Sequence, residues 1–230
     1  MEVMFVEARY NGKVDDSFMN KIRDALMPYK KINAVAAIQY LDQMNQVIQN
    51  LKEKEFVVIK SKYRAMYPGQ ILGCDVDAAR CEDCDITLAF TQGVFHLLGI
   101  PIKLGKPLLN VDPESESITF IDAKSGDKYR KRMLQAIGIA LSAKKIMFVE
   151  SMKSGQTYGV TLLKQALKQR GAMVFSTISD EINFSRLNEF RGIDVFINTA
   201  CQRIGIDDME KIEKPIVNAE DLEPYLLKQE

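Results

Sequence analysis

The 230-residue sequence has no tryptophan and a single histidine, His96. One histidine leaves no His-rich metal centre, and no Ser-His-Asp triad that does not use His96 itself. A surplus of charge is also missing, since 31 lysines and arginines balance 31 aspartates and glutamates. A general nucleic-acid binder needs a basic excess to meet phosphates, so no nucleic-acid partner is expected. No apolar run approaches the roughly 18 residues needed to span a bilayer, so no membrane role is expected. The opening Met1-Glu2-Val3-Met4-Phe5-Val6-Glu7 is strand-like and lacks the basic start of a signal peptide. The expected compartment is the cytoplasm. Cysteine is sparse as well: four residues are too few for a disulfide scaffold.

What is present suits a folded core. Hydrophobic residues make up 47% of the chain and charged residues 27%, ordinary for a globular protein of one large or two small domains. Apolar runs alternate with amphipathic segments, the signature of strand–helix–strand units. Strands are expected at 3–8, 33–38, 56–59, 86–90 and 108–111, with an edge strand at 118–121. Helices are expected at 18–26 and 41–51. After Asp112-Pro113-Glu114-Ser115 breaks the pattern, a long helix at about 128–141 opens a second cycle. That cycle has strands at 145–150, 173–178 and 195–199 and helices at 160–168 and 222–227. The methionines at 4, 19, 27, 44 and 66 fall at core spacings and read as packing.

The chain also resembles itself. Lys31-Ile32-Asn33-Ala34-Val35 opens a unit closing with Asp85-Ile86-Thr87-Leu88-Ala89-Phe90 and Leu98-Gly99-Ile100. Lys144-Lys145-Ile146-Met147-Phe148-Val149 opens one of similar length closing with Asp194-Val195-Phe196-Ile197-Asn198-Thr199 and Ile204-Gly205-Ile206. We read this as internal duplication. The expected fold is α/β, with two similar domains at 1–124 and 125–230, each a mainly parallel sheet flanked by helices.

The cysteines are the first candidates for chemistry. Cys74 follows Pro68-Gly69-Gln70-Ile71-Leu72-Gly73, and Cys201 follows the strand-like Val195 to Thr199. In α/β proteins, loops beyond strand C-terminal ends carry cofactors. The alternative for both is burial as small apolar groups. Cys81 and Cys84 form a C-x-x-C that reads as incidental thiols, a redox pair or half a zinc site. Lys124, Lys128, Arg130, Lys131 and Arg132 read as a solvated basic face.

An ordered set of motifs is similar to the archaeal diphthamide synthase family, the 2-(3-amino-3-carboxypropyl)histidine synthases. The pieces are Tyr67-Pro68-Gly69-Gln70-Ile71-Leu72-Gly73-Cys74, Phe95-His96-Leu97-Leu98-Gly99, Val111-Asp112-Pro113 and Arg130-Lys131-Arg132. They continue with Lys153-Ser154-Gly155-Gln156, Thr199-Ala200-Cys201-Gln202-Arg203 and Asp207-Asp208. The resemblance implies three similar α/β domains, each giving one cysteine to a 4Fe–4S cluster. It implies a radical transfer of a 3-amino-3-carboxypropyl group from S-adenosylmethionine to a histidine of translation elongation factor 2. Here it covers the family's second and third domains, with Cys74 and Cys201 as matching ligands. A second chain is expected to supply the first domain, or a homo-oligomer forms, and Cys81 or Cys84 is the candidate substitute third ligand. The resemblance further implies cosubstrate contacts from Ser154, Gly155 and Gln156, from Arg203 and from His96. Gln202 stands where the family usually has proline. A second expectation is a non-catalytic accessory or scaffold subunit of such a synthase. Quinolinate synthase shares the three-domain, three-cysteine plan, but its motifs are not found here.

Overall fold

The computed structural model describes residues 6–94, 96–153, 159–206 and 208–227. The chain divides into two compact units, Met1–Asp127 and Lys128–Glu230. Each is an α/β layer structure.

The first unit holds α1 (Asp16–Ala25), β1 (Lys31–Ala36), α2 (Leu41–Asn50), β2 (Glu55–Val57), β3 (Ile86–Phe90), α3 (Gly99–Leu104), β4 (Leu108–Asp112) and β5 (Ser117–Ile121). Its sheet has the order β2-β1-β3-β4-β5, parallel except for the antiparallel edge strand β5. Alternation along the central strands feeds two cores, because successive side chains leave opposite faces. Ile32, Ala34 and Ala36 meet Phe18, Ile22 and Met44 from α1 and α2 on one face. Val35, Ala89 and Leu108 meet Ile71, Val76, Leu97 and Ile100 on the other. Both faces being covered explains why β3 is buried throughout and apolar except at Thr87. The Asp15 carboxylate starts α1 by accepting the Phe18 N–H at 2.7 Å.

The second unit repeats the plan with α4 (Asp127–Ser142), β6 (Lys145–Ser151), α5 (Thr161–Gln169), β7 (Met173–Ser179), α6 (Phe184–Glu189), β8 (Val195–Asn198), β9 (Ile216–Asn218) and α7 (Ala219–Leu226). Its sheet, β7-β6-β8-β9, is parallel throughout. One face packs Ile146, Phe148, Val195 and Ile197 against Leu163, Leu167 and Leu222.

The two sheets share a local device. The Asp85 carboxylate accepts the N–H groups of Lys30 and Lys31 at 2.7 and 2.9 Å. The Asp194 carboxylate accepts those of Lys144 and Lys145 at 2.9 and 2.8 Å. Each aspartate precedes the strand pairing with β1 or β6, and each pins the start of its neighbour. The register agrees, with Ile32 opposite Ile86 and Ile146 opposite Val195.

The α/β fold with two mainly parallel sheets matches the expectation, but several local readings do not. Residues 6–8 form no strand, and residues 3–5 lie outside the described set. An apolar run needs a neighbouring ladder, and here Glu7 instead engages Arg9 and the Tyr67 hydroxyl. The strand expected at 33–38 runs from Lys31 to Ala36 and ends in a single 3₁₀ turn, Ile38–Tyr40. Short elements without a full helical period, α3, α6 and β9, were not anticipated. Met19 and Met44 are buried, but Met27 and Met66 are 71% and 69% exposed, so methionine spacing alone did not identify core.

Candidate functional site

Cys74 sits at the tip of a tight turn beyond the C-terminal end of β1. The strand end is closed by the Ala36 N–H to the Gly69 carbonyl at 2.8 Å and the Ile71 N–H to the Ala36 carbonyl at 2.9 Å. Gly69 has φ +73°, and a Cβ there would stand 3.2 Å from the Ala34 carbonyl oxygen. Glycine is therefore what lets this loop lie on the sheet. The buried Gln70 amide oxygen accepts the Met66 and Tyr67 N–H groups, turning the chain into the sheet edge. Leu72 and Asp75 then exchange backbone hydrogen bonds of 2.8 and 3.1 Å, enclosing Gly73 and Cys74 between them.

Asp75 fixes this turn from beneath. Its buried carboxylate accepts the Ser61 hydroxyl at 2.7 Å and the N–H groups of Arg64, Ala65 and Asp77 at 2.8, 2.9 and 3.1 Å. Burial works to raise its pKa, but these donors outweigh it and hold the carboxyl below its ordinary range. The Lys103 ammonium reaches the Cys74 carbonyl at 3.5 Å.

Cys201 lies beyond the C-terminal end of β8, the counterpart of β3 rather than of β1, and its thiol is free and half-buried like that of Cys74. Thr199 continues the β8 ladder, its N–H reaching the Val149 carbonyl at 3.0 Å. The Asn198 amide group donates to the Cys201 carbonyl at 2.9 Å and to the Asn218 side chain at 2.7 Å, while its oxygen accepts the Ala200 N–H at 3.1 Å. Asn218 ends β9, so two strand ends hold one cysteine loop. Gly205 lies against Asn218, where a Cβ would come within 2.7 Å of the Asn218 Cγ.

The remaining candidates are placed unevenly. Arg203 lies on the 3₁₀ turn Gln202–Gly205 directly after Cys201 and is only 6% exposed. It is thus a buried cation beside the thiol loop rather than a surface group. His96 lies half-buried in the turn between β3 and α3. Ser154, Gly155, Gln156 and Asp207 fall outside the described residues. Cys81 and Cys84 are joined to each other in a disulfide, and a substitute-ligand role would require the reduced pair. In the basic cluster, Lys128 and Arg132 bind Glu210 at 2.8 and 2.5 Å. A pocket between Ser142–Lys144 and Arg170–Met173 lies at the opposite, N-terminal edge of the second sheet and contains no thiol.

Sequence reading missed Asn198, Asn218 and Gln70. A polar residue ending an apolar strand was the available signal in each asparagine, and its meaning depends on the neighbouring strand end.

Taken each by itself, the Cys74 and Cys201 thiols have the character that iron–sulfur ligation requires: soft sulfur, partly accessible, on a loop rigidified by buried hydrogen bonds. The family model described as "Putative diphthamide synthesis protein" matches residues 1–230. The chain is 27% identical over 227 residues to the 2-(3-amino-3-carboxypropyl)histidine synthase of Pyrococcus horikoshii, covering 97% of this chain and 65% of that protein. It is 30% identical over 175 residues to subunit 1 of the synthase of Debaryomyces hansenii, covering 74% of this chain and 41% of that one. The crystal structure of Dph2 from Pyrococcus horikoshii with a 4Fe–4S cluster shares the fold, with TM-score 0.75 and 23% identity over 96% of this chain and 64% of that chain. The chain therefore spans about two thirds of the length of the first relative and under half of the second. Matched by the family model from end to end, the chain belongs to the diphthamide synthesis protein family.

Proposed function

We propose that the chain forms part of a 2-(3-amino-3-carboxypropyl)histidine synthase, with Cys74 and Cys201 as two of three cysteine ligands of a 4Fe–4S cluster. The observation that carries this reading is the placement of the two free thiols. Each caps a strand end of one repeat, in a chain the family model matches throughout. A cluster held by three cysteines has one iron without a protein ligand, and that is the chemistry it would supply to S-adenosylmethionine. The protein's own task is positioning. Asp75 and Gln70 hold one thiol turn, and Asn198 and Asn218 hold the other. Arg203, buried beside Cys201, is suited to orient the methionine carboxylate. His96, Ser154, Gly155 and Gln156 complete the cosubstrate contacts in this proposal. The acceptor is a histidine of translation elongation factor 2 in the cytoplasm, and the third cysteine comes from a second chain or a further copy.

A second reading is a non-catalytic accessory subunit. It is favoured by the presence of only two free thiols among the described residues and by relatives named as subunits. The test is anaerobic transfer of carbon label from the aminocarboxypropyl portion of S-adenosylmethionine to elongation factor 2, using the chain with its co-purifying partner and a reductant. Label that disappears in Cys74→Ala and in Cys201→Ala supports the enzyme. Label unchanged in both variants supports the accessory subunit.

A further inference from the structure

The Cys81–Cys84 pair stands apart from the proposed cluster loops. It lies in the segment after the 3₁₀ turn Asp77–Ala79 and immediately before Asp85, at the N-terminal edge of the first sheet. The two Cα atoms are 5.5 Å apart, with only Glu82 and Asp83 between the cysteines. A cross-link stabilises mainly by restricting the unfolded chain, and that contribution shrinks with the loop it closes. A four-residue ring is therefore a poor staple, and stability does not account for the bond.

The surroundings do suit exchange chemistry. Cys81 is 4% exposed, while Cys84 is partly open to solvent. The Cys81 sulfur lies 3.4 Å from the Asp83 carboxylate, which the Lys31 ammonium pairs at 2.5 Å, and the Lys106 ammonium donates to the Cys81 carbonyl oxygen.

We propose that Cys81 and Cys84 form a dithiol–disulfide centre that exchanges two electrons with an external dithiol, with attack at Cys84. An external thiolate attacks the accessible Cys84 sulfur, forming a mixed disulfide and breaking the Cys84–Cys81 bond. The electron pair leaves on Cys81 as a thiolate. The second thiol of the donor, as thiolate, then attacks the donor's own sulfur in the mixed disulfide and releases Cys84 as a thiolate. The donor becomes a disulfide, the pair gains two electrons, and the two thiolates take up protons according to pH. This activity does not depend on the proposed cluster role.

The test uses the full chain carrying Cys74→Ala and Cys201→Ala, so that only the pair reports. After equilibration with oxidised dithiothreitol and unfolding in denaturant, an aromatic disulfide reagent should find no thiol. After reduced dithiothreitol it should find both. With Cys81→Ser added, Cys84 should react in the folded chain about tenfold faster than Cys81 does with Cys84→Ser, and the rates should converge in denaturant. Two thiols persisting under oxidation would overturn the proposal. So would equal folded-state rates, or zinc held stoichiometrically by Cys81, Asp83 and Cys84, whose ligand atoms lie within 4.8 Å of one another.

Discussion

Asp75 and Asn198 carry the geometry of the two thiol loops, although neither bears the reactive group. Asp75 gathers four donors from Ser61, Arg64, Ala65 and Asp77. Asp75→Ala strands those donors in a buried setting and should cost about 3 kcal/mol, read from urea unfolding midpoints. Asn198 bridges the Cys201 carbonyl, the Ala200 N–H and Asn218. Asn198→Ala should cost about 2 kcal/mol by the same measurement, and should loosen Cys201 enough to raise its alkylation rate. A stability loss without faster alkylation would mean Asn198 supports the sheet and not the thiol.

At the scale of elements, the glycine in the Cys74 loop makes a sharp comparison. Gly69 combines φ +73° with close approach to Ala34 and Met44, whereas Gly171 has φ +86° and open space around it. Gly69→Ala should cost roughly 3 kcal/mol and Gly171→Ala about 1 kcal/mol, compared by thermal melts. Equal costs would show that the loop shifts away from the sheet without penalty. The same loop marks what the sequence discloses. Strands β1, β3, β6 and β8 were readable because their apolar runs are continuous and buried on both faces. Cys201 was readable as a candidate because it follows such a strand, and Cys74 because it follows the loop Pro68-Gly69-Gln70-Ile71-Leu72-Gly73. The clamps were not. Asn198 meets Asn218 from twenty residues away, and Asp75 collects donors from a segment with no periodic pattern. Those contacts belong to the folded arrangement of loops, which local spacing does not encode. The helix α6 and strand β9 escaped for a simpler reason, being too short to show a period.

At the scale of the whole molecule, acid should weaken the second unit. Burial pushes the Glu150 carboxyl up, but the Lys164 ammonium at 2.6 Å and the Ser176 hydroxyl prevail and hold it below its ordinary value of 4.5. A lowered folded value means the contribution is fully present above pH 4.5 and is lost as pH falls through the lower folded value. Glu150→Gln should therefore lower the melting temperature at pH 7, and the gap from the unmodified chain should narrow toward pH 3, at about 1 kcal/mol or less. A constant gap across that range would assign the effect to packing. Association is the other property of this scale. The edge strand β7 exposes Met173, Phe175 and Ile178 at 50%, 44% and 61%. Exposed apolar side chains along an open edge favour a partner. Light scattering should show concentration-dependent association that Phe175→Lys weakens, and a monomer at every concentration would contradict the expected oligomer or complex.

The most direct test of the ligand assignment is anaerobic reconstitution with iron and sulfide, followed by iron analysis and the visible absorption spectrum. The chain should take up iron with iron–sulfur absorption. Cys74→Ala and Cys201→Ala should each lose it, and Cys81→Ser/Cys84→Ser should keep it. Iron content and spectrum unchanged by removing Cys74 or Cys201, or no uptake by the unmodified chain even with its partner, would contradict the assignment of these two cysteines as cluster ligands.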